Sequence, residues 1–182
     1  MSALTIERYQ PFYCEENVFH LSADGRVAHR PREIVFISNA ARACAMWHQR
    51  AAHRPGAPMV WDYHVVLLVG APWEIWDLDT TLGFPVPALE YLRRSFRADI
   101  PAEYLPVFRV VEAGAFAATF ASDRSHMRGL EGWLRPPPPW PALGAPGAAP
   151  NLMRFVDVTA PFLGAVMDLG ALVARVGAED AP

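Results

Sequence analysis

The chain reads as an α+β protein, with a mainly antiparallel sheet and flanking helices, on three observations. Two apolar, strand-like segments, residues 59–69 (MVWDYHVVLLV) and 73–79 (WEIWDLD), are separated only by Gly70-Ala71-Pro72, which predicts a hairpin. The predicted order is helix, strand, hairpin, helix, strand, helix, and the hairpin makes the sheet at least partly antiparallel, which suggests α+β. The length of 182 residues gives one domain, residues 1–182, since domains average about 150 residues.

Each element has a local cause. Residues 14–23 (CEENVFHLSA) predict a helix whose first turn carries Glu15 and Glu16, where the helix dipole favours acids. Residues 33–38 (EIVFIS) are β-branched and aromatic, as a buried strand requires. Residues 87–96 (PALEYLRRSF) predict a helix opened by Pro87. A strand follows at 105–112 (LPVFRVVE) and a helix at 114–121 (GAFAATFA). Periodicity is lost over 122–151, and RPPPPWP at 135–141 fits neither helix nor central strand but polyproline II. The apolar stretch 164–177 (GAVMDLGALVARVG) predicts a last helix.

Composition removes several function classes. Hydrophobic residues make up 52% and charged residues 19%, so the chain is neither disordered nor supercharged. A net charge of −3 does not fit a nucleic-acid protein, whose binding face would be basic. No apolar run approaches the roughly 18 residues of a membrane span. The first ten residues, MSALTIERYQ, lack the basic-then-apolar pattern of a secretory leader. Two cysteines cannot form a disulfide framework. A reducing, cytoplasmic location with both thiols free is expected.

The hairpin sets up chemistry. A two-residue type II′ turn at Gly70-Ala71 makes residues whose numbers sum to 141 face each other. His64 then faces Asp77, and Asp62 faces Asp79 on the same side of the ribbon. An Asp77 carboxylate accepting from the imidazole would fix its tautomer and stabilise the imidazolium. Cys14 stands at the predicted start of a helix, an environment that favours a thiolate. The three together make a Cys14–His64–Asp77 nucleophile, base and orienting acid. Cys44, in ARACAMW, has no such surroundings and reads as a small core residue.

YCEENVF (13–19), VFISN (35–39), WDYHVVLL (61–68), DLDT (77–80), FRV (108–110), FASDRSHM (120–127) and PPPPWP (136–141) occur in this order. They resemble the protein N-terminal glutamine amidohydrolase family, known also for its WDYHV motif, over roughly residues 9–177. The resemblance implies a fold related to papain-like and transglutaminase-like cysteine hydrolases. It implies a monomer, working without cofactor or metal, that converts an N-terminal glutamine of a protein or peptide to glutamate with release of ammonia. In eukaryotes the family's product feeds arginylation in an N-degron pathway. The nucleophile, base and acid implied are Cys14, His64 and Asp77, the trio the hairpin argument selects.

Recognition of a terminal residue requires acceptors for an ammonium group, since a buried unpaired charge is costly. Glu16, Ser38, Asn39, Asp123 and Ser125 are the candidates. Arg124 is expected to pair with an acid. His126 is a second candidate base for which the sequence offers no obvious orienting acid. Trp140 is expected to be packed, with the proline run as a rigid segment near the site. The alternatives are another cysteine acyl-transfer enzyme, a metal hydrolase built on Asp62, His64, Asp77 and Asp79, or a non-catalytic binder of peptide N-termini.

Overall fold

Nearly all the apolar residues of the two longest central strands are buried, because helices cover both faces of the sheet they form. The computed structural model describes residues 8–179. The chain begins with α1 (Cys14–Ser22), followed by β1 (Arg32–Ser38), β2 (Cys44–Met46), β3 (Met59–Trp61), β4 (His64–Val69) and β5 (Glu74–Trp76). Next come β6 (Val86–Pro87), α2 (Ala88–Ser95), β7 (Val107–Glu112) and α3 (Ala113–Thr119). The remainder is β8 (Arg128–Gly129), β9 (Gly132–Trp133), α4 (Leu152–Val156), β10 (Ala165–Asp168) and α5 (Leu169–Glu179). Six strands form one sheet in the order β10-β7-β1-β4-β5-β6, with every neighbouring pair antiparallel.

The period-2 alternation of β1 and β4 sorts their side chains into two cores. Ile34, Phe36, Val65 and Leu67 face α1, α3 and α4, while Val35, Ile37, Val66 and Leu68 face α2 and α5. α2 turns Ala88, Tyr91, Leu92 and Ser95 inward, the three- and four-residue spacing of one helix face. Glu112 ends β7 and starts α3, because its carboxylate accepts from the Gly114 and Ala115 amides.

Three expectations are corrected. Residues 59–69 are not one strand. The chain breaks at Asp62-Tyr63, where Asp62 Oδ1 accepts from the Tyr63 amide and the Asp62 carbonyl accepts from Ser38 Oγ. β3 therefore pairs with β2 in a separate ribbon, and only β4 enters the main sheet. Residues 164–177 are not one helix: β10 pairs with β7, and Asp168 then caps α5 by accepting from the Ala171 amide. Gly164 enters β10 with φ +89° so close to β7 that a Cβ would overlap the Val110 carbonyl oxygen.

The third correction is the hairpin register. Val69 pairs with Glu74 and Leu67 with Trp76, so numbers sum to 143 and four residues, 70–73, make the loop. Gly70 does not have positive φ, so no type II′ turn forms. Its missing Cβ instead makes room for the Trp73 indole, which lies 2.9 Å from where a Cβ would stand. The slip is by two, and therefore keeps every side chain on its predicted face.

Candidate active site

α1 packs on β4, and this brings Cys14 at the helix start beside the start of the strand. A pocket of about 210 Å³ opens there, with Cys14, Trp61, Tyr63, His64, Asp79 and His126 on its walls. Phe12, Leu134 and Met153 make an apolar rim, joined by the exposed Arg42–Asp62 pair.

His64 Nε2 lies 2.9 Å from Asp77 Oδ1, and both side chains are buried. The two-residue slip makes Asp77 a diagonal neighbour of His64, still within side-chain reach on the same face. Asp77 Oδ1 also accepts from the Asp79 amide, and Oδ2 accepts from the Tyr91 hydroxyl at 2.8 Å and Gln49 Nε2 at 3.4 Å. The Trp61 indole stacks on the imidazole, 5.6 Å between centroids. Burial disfavours the imidazolium, but the charge and hydrogen bond of Asp77 outweigh it, and His64 titrates above its ordinary 6.5. Burial likewise raises Asp77, but the His64 charge and the hydrogen bonds from His64, the Asp79 amide and Tyr91 outweigh it and pull the carboxyl below its ordinary 3.8.

Cys14 departs from expectation. Burial, and then the carboxylates of Glu15, Asp79 and Asp77, hold its thiol well above its ordinary value. A hydrogen bond from the Val65 amide works the other way without prevailing. These surroundings oppose the thiolate that the helix start favours. Cys44 is fully buried in the α2 and α5 core, where burial alone pushes its thiol up to about 12. Both cysteines are free.

The two glutamates after Cys14 are buried, each with its own partner from the FASDRSHM segment. Glu16 receives Arg124 Nε at 2.7 Å, Arg124 Nη2 at 2.8 Å and Trp140 Nε1 at 2.7 Å. Both its oxygens are filled, which removes it as an ammonium acceptor. Glu15 Oε2 accepts from the Tyr63 hydroxyl at 3.1 Å, and Glu15 Oε1 lies 3.5 Å from His126 Nε2. The acid that the sequence does not reveal near His126 is therefore Glu15, though the hydrogen bond of His126 Nε2 is to the Tyr63 hydroxyl at 3.3 Å and Glu15 Oε1 has no hydrogen-bond partner among the described residues.

The other expected substrate contacts go elsewhere. Ser38 Oγ donates to the Asp62 carbonyl. Asn39 Nδ2 donates to the carbonyls of Ala43, Glu103 and Leu105, and its Oδ1 accepts from the Ala43 amide. Asp123 is exposed and accepts from the Ser125 amide, a local turn. Ser125 is exposed too, and neither lines the pocket. Sequence reasoning missed Tyr91 and Gln49 on Asp77; nothing short of the fold joins them to it. His64, Asp77 and Asp79 offer ligand atoms within 4.8 Å of one another, the arrangement a divalent cation could use. Asp62 is not among them; its carboxylate pairs with Arg42. The His64 and Asp77 donors already satisfy each other.

The sequence pattern of the N-terminal glutamine amidase family matches residues 9–176. The protein N-terminal glutamine amidohydrolase of Bos taurus is 38% identical over 184 residues, covering 94% of this chain and 88% of the relative. The human protein of the same name is 38% identical, over 94% of this chain and 89% of its own. That of Arabidopsis thaliana is 36% identical over 86% and 79%. A family match over residues 9–176, and relatives 36–38% identical of which 79–89% is covered, show that this chain belongs to the N-terminal glutamine amidase family.

Proposed function

We propose that this chain hydrolyses the side-chain amide of an N-terminal glutamine in proteins and peptides, giving glutamate and ammonia. Cys14 is the nucleophile, His64 the base and Asp77 the residue that orients it. The carrying observation is the pocket wall that unites Cys14 and His64, with Asp77 locked on His64 Nε2. The names of the relatives support the substrate. We place the core with the papain-like and transglutaminase-like hydrolases on the order helix-borne Cys, strand-borne His, then Asp. A cytosolic monomer fits two free thiols.

In this mechanism His64 takes the Cys14 proton on Nδ1, the nitrogen that Asp77 leaves free, as sulfur attacks the carboxamide carbon. The tetrahedral oxyanion receives the Cys14 backbone N–H at the helix start. Imidazolium then protonates the leaving nitrogen, the C–N bond breaks, and ammonia departs from a thioester. Water, deprotonated by His64, attacks the thioester carbon, the C–S bond breaks, and the imidazolium returns the proton to sulfur. Glutamate remains on the peptide.

The test is ammonia release from peptides beginning with Gln, Asn and acetyl-Gln. Only the first should react, and Cys14→Ala should abolish release while the protein still unfolds cooperatively. Full activity in Cys14→Ala would sink the scheme.

A further inference from the structure

Acting only on a terminal residue requires a receptor for its α-ammonium, and each carboxylate near the pocket can be judged by what already occupies it. Glu16 is filled by Arg124 and Trp140. Glu15 is fully buried behind Tyr63 and His126. Asp77 holds His64, Tyr91 and Gln49. Asp62 pairs with Arg42 at 3.0 Å on the exposed rim. Asp79 differs from all four. It lines the pocket with Cys14 and His64, and among the described residues it forms no ion pair. Its Oδ1 accepts from the Tyr9 hydroxyl at 2.5 Å, and no described residue donates to Oδ2.

Asp79 is also held in place before any ligand arrives. Its amide donates to Asp77 Oδ1 at 2.9 Å, and its carbonyl accepts from the Arg50 amide at 2.8 Å. A fixed acceptor loses little freedom on binding. We propose that Asp79 receives the substrate α-ammonium and so confines the reaction to chain termini; this rests on the amidohydrolase reading of the same pocket. The two acids of DLDT then divide the work, Asp77 on the base and Asp79 on the substrate.

The assignment also ties amine recognition to side-chain length. In extended glutamine the α-nitrogen lies about 5 Å from the carboxamide carbon, and in asparagine about 4 Å. An asparagine anchored at Asp79 therefore holds its carbon about 1 Å short of the Cys14 sulfur, a misplacement of the size that costs about a hundredfold.

Calorimetric binding to Cys14→Ala, which cannot turn over, tests this with two peptides. One begins with Gln; the other is identical but has hydrogen in place of the α-amine. Cys14→Ala should bind the amine peptide about tenfold tighter or better, the range for a hydrogen bond to a charged group. Cys14→Ala/Asp79→Asn should bring the two within about twofold by weakening only the amine peptide, while Cys14→Ala/Tyr9→Phe keeps the preference. An amine preference that survives Asp79→Asn, or equal weakening of both peptides, overturns the proposal. If Asp79→Asn does not fold, Asp79→Glu decides. Its carboxylate reaches one methylene further and should narrow the preference for Gln- over Asn-peptides, and an unchanged preference rejects the assignment. Absence of ammonia release from the Gln-peptide by wild type would refute the amidohydrolase reading, while the binding comparison still judges Asp79.

Discussion

Cys14 stands where a helix dipole favours a thiolate, yet burial and three nearby carboxylates push its thiol the other way, above its ordinary value. In the mechanism proposed above, attack is coupled to proton transfer, which places the demand on His64. His64 can accept that proton only when neutral, and Asp77 raises its titration above 6.5. The acidic limb of kcat/KM should accordingly have its midpoint above pH 6.5. Rates measured from pH 5.5 to 9 check this, and a midpoint at or below 6.5 contradicts it. Glu15 follows burial as a cause of the raised thiol, so Glu15→Gln should move Cys14 alkylation by iodoacetamide to lower pH. Mass spectrometry of the alkylated peptide at each pH reads the shift, and none is expected at Cys44, where burial alone acts. That His64 and Asp77 share a face was legible in the sequence. The sign of the Cys14 shift was not, because it depends on what lies across the pocket.

Among elements, α1 is held from outside by the loop after α3. Arg124 takes φ +62°, and from there its guanidinium reaches Glu16 and the carbonyls of Pro138 and Trp140. One buried arginine thus fixes the helix carrying Cys14 to the proline-rich segment. Arg124→Met leaves Glu16 charged and unpaired and should cost about 3–5 kcal/mol. Urea unfolding measures the loss, and a cost under about 1 kcal/mol would show that the clamp matters little. Within the sheet, Arg109 of β7 is buried and donates to the carbonyls of Phe155, Asp157, Ala160 and Leu163, fastening the chain between α4 and β10. The pairing of Arg124 with an acid was legible in the sequence, but its partner, 108 residues away, was not. The hairpin shows the same limit: alternation gave the faces, but the loop length, set by Trp73 packing over Gly70, gave the register.

For the molecule as a whole, the sheet is the partition between two cores, and the His64–Asp77 pair lies buried within it. Its contribution to stability depends on pH from both sides. The lowered Asp77 stabilises the fold above its ordinary 3.8, and this is lost as pH falls through its folded value. The raised His64 stabilises fully below its ordinary 6.5, and this is lost as pH rises through its folded value. The contribution is greatest between those two ordinary values. The stability gap between wild type and His64→Gln should be widest near pH 5 and narrower at pH 9, as thermal unfolding at both values would show. In the other core, Phe155 stacks on Phe36 at 5.1 Å and meets Phe116 and Phe162, so Phe155→Ala should cost about 3–5 kcal/mol.

By itself the sequence determined most of the element types and the faces of the central strands, because these follow from periodicity and from side-chain chemistry carried within a few residues; it did not separate β10 from α5 or β3 from β4. It also determined the family, through long motifs in fixed order. Tertiary structure decided what each charge is for. Glu15 and Glu16 are adjacent and alike in sequence, yet one meets a histidine and a tyrosine and the other an arginine and a tryptophan. Asp77 and Asp79 are likewise alike until packing surrounds the first with four donor groups and leaves the second facing the pocket. A carboxylate's role depends on the donors and the dielectric around it, and those come from chain segments far away in sequence.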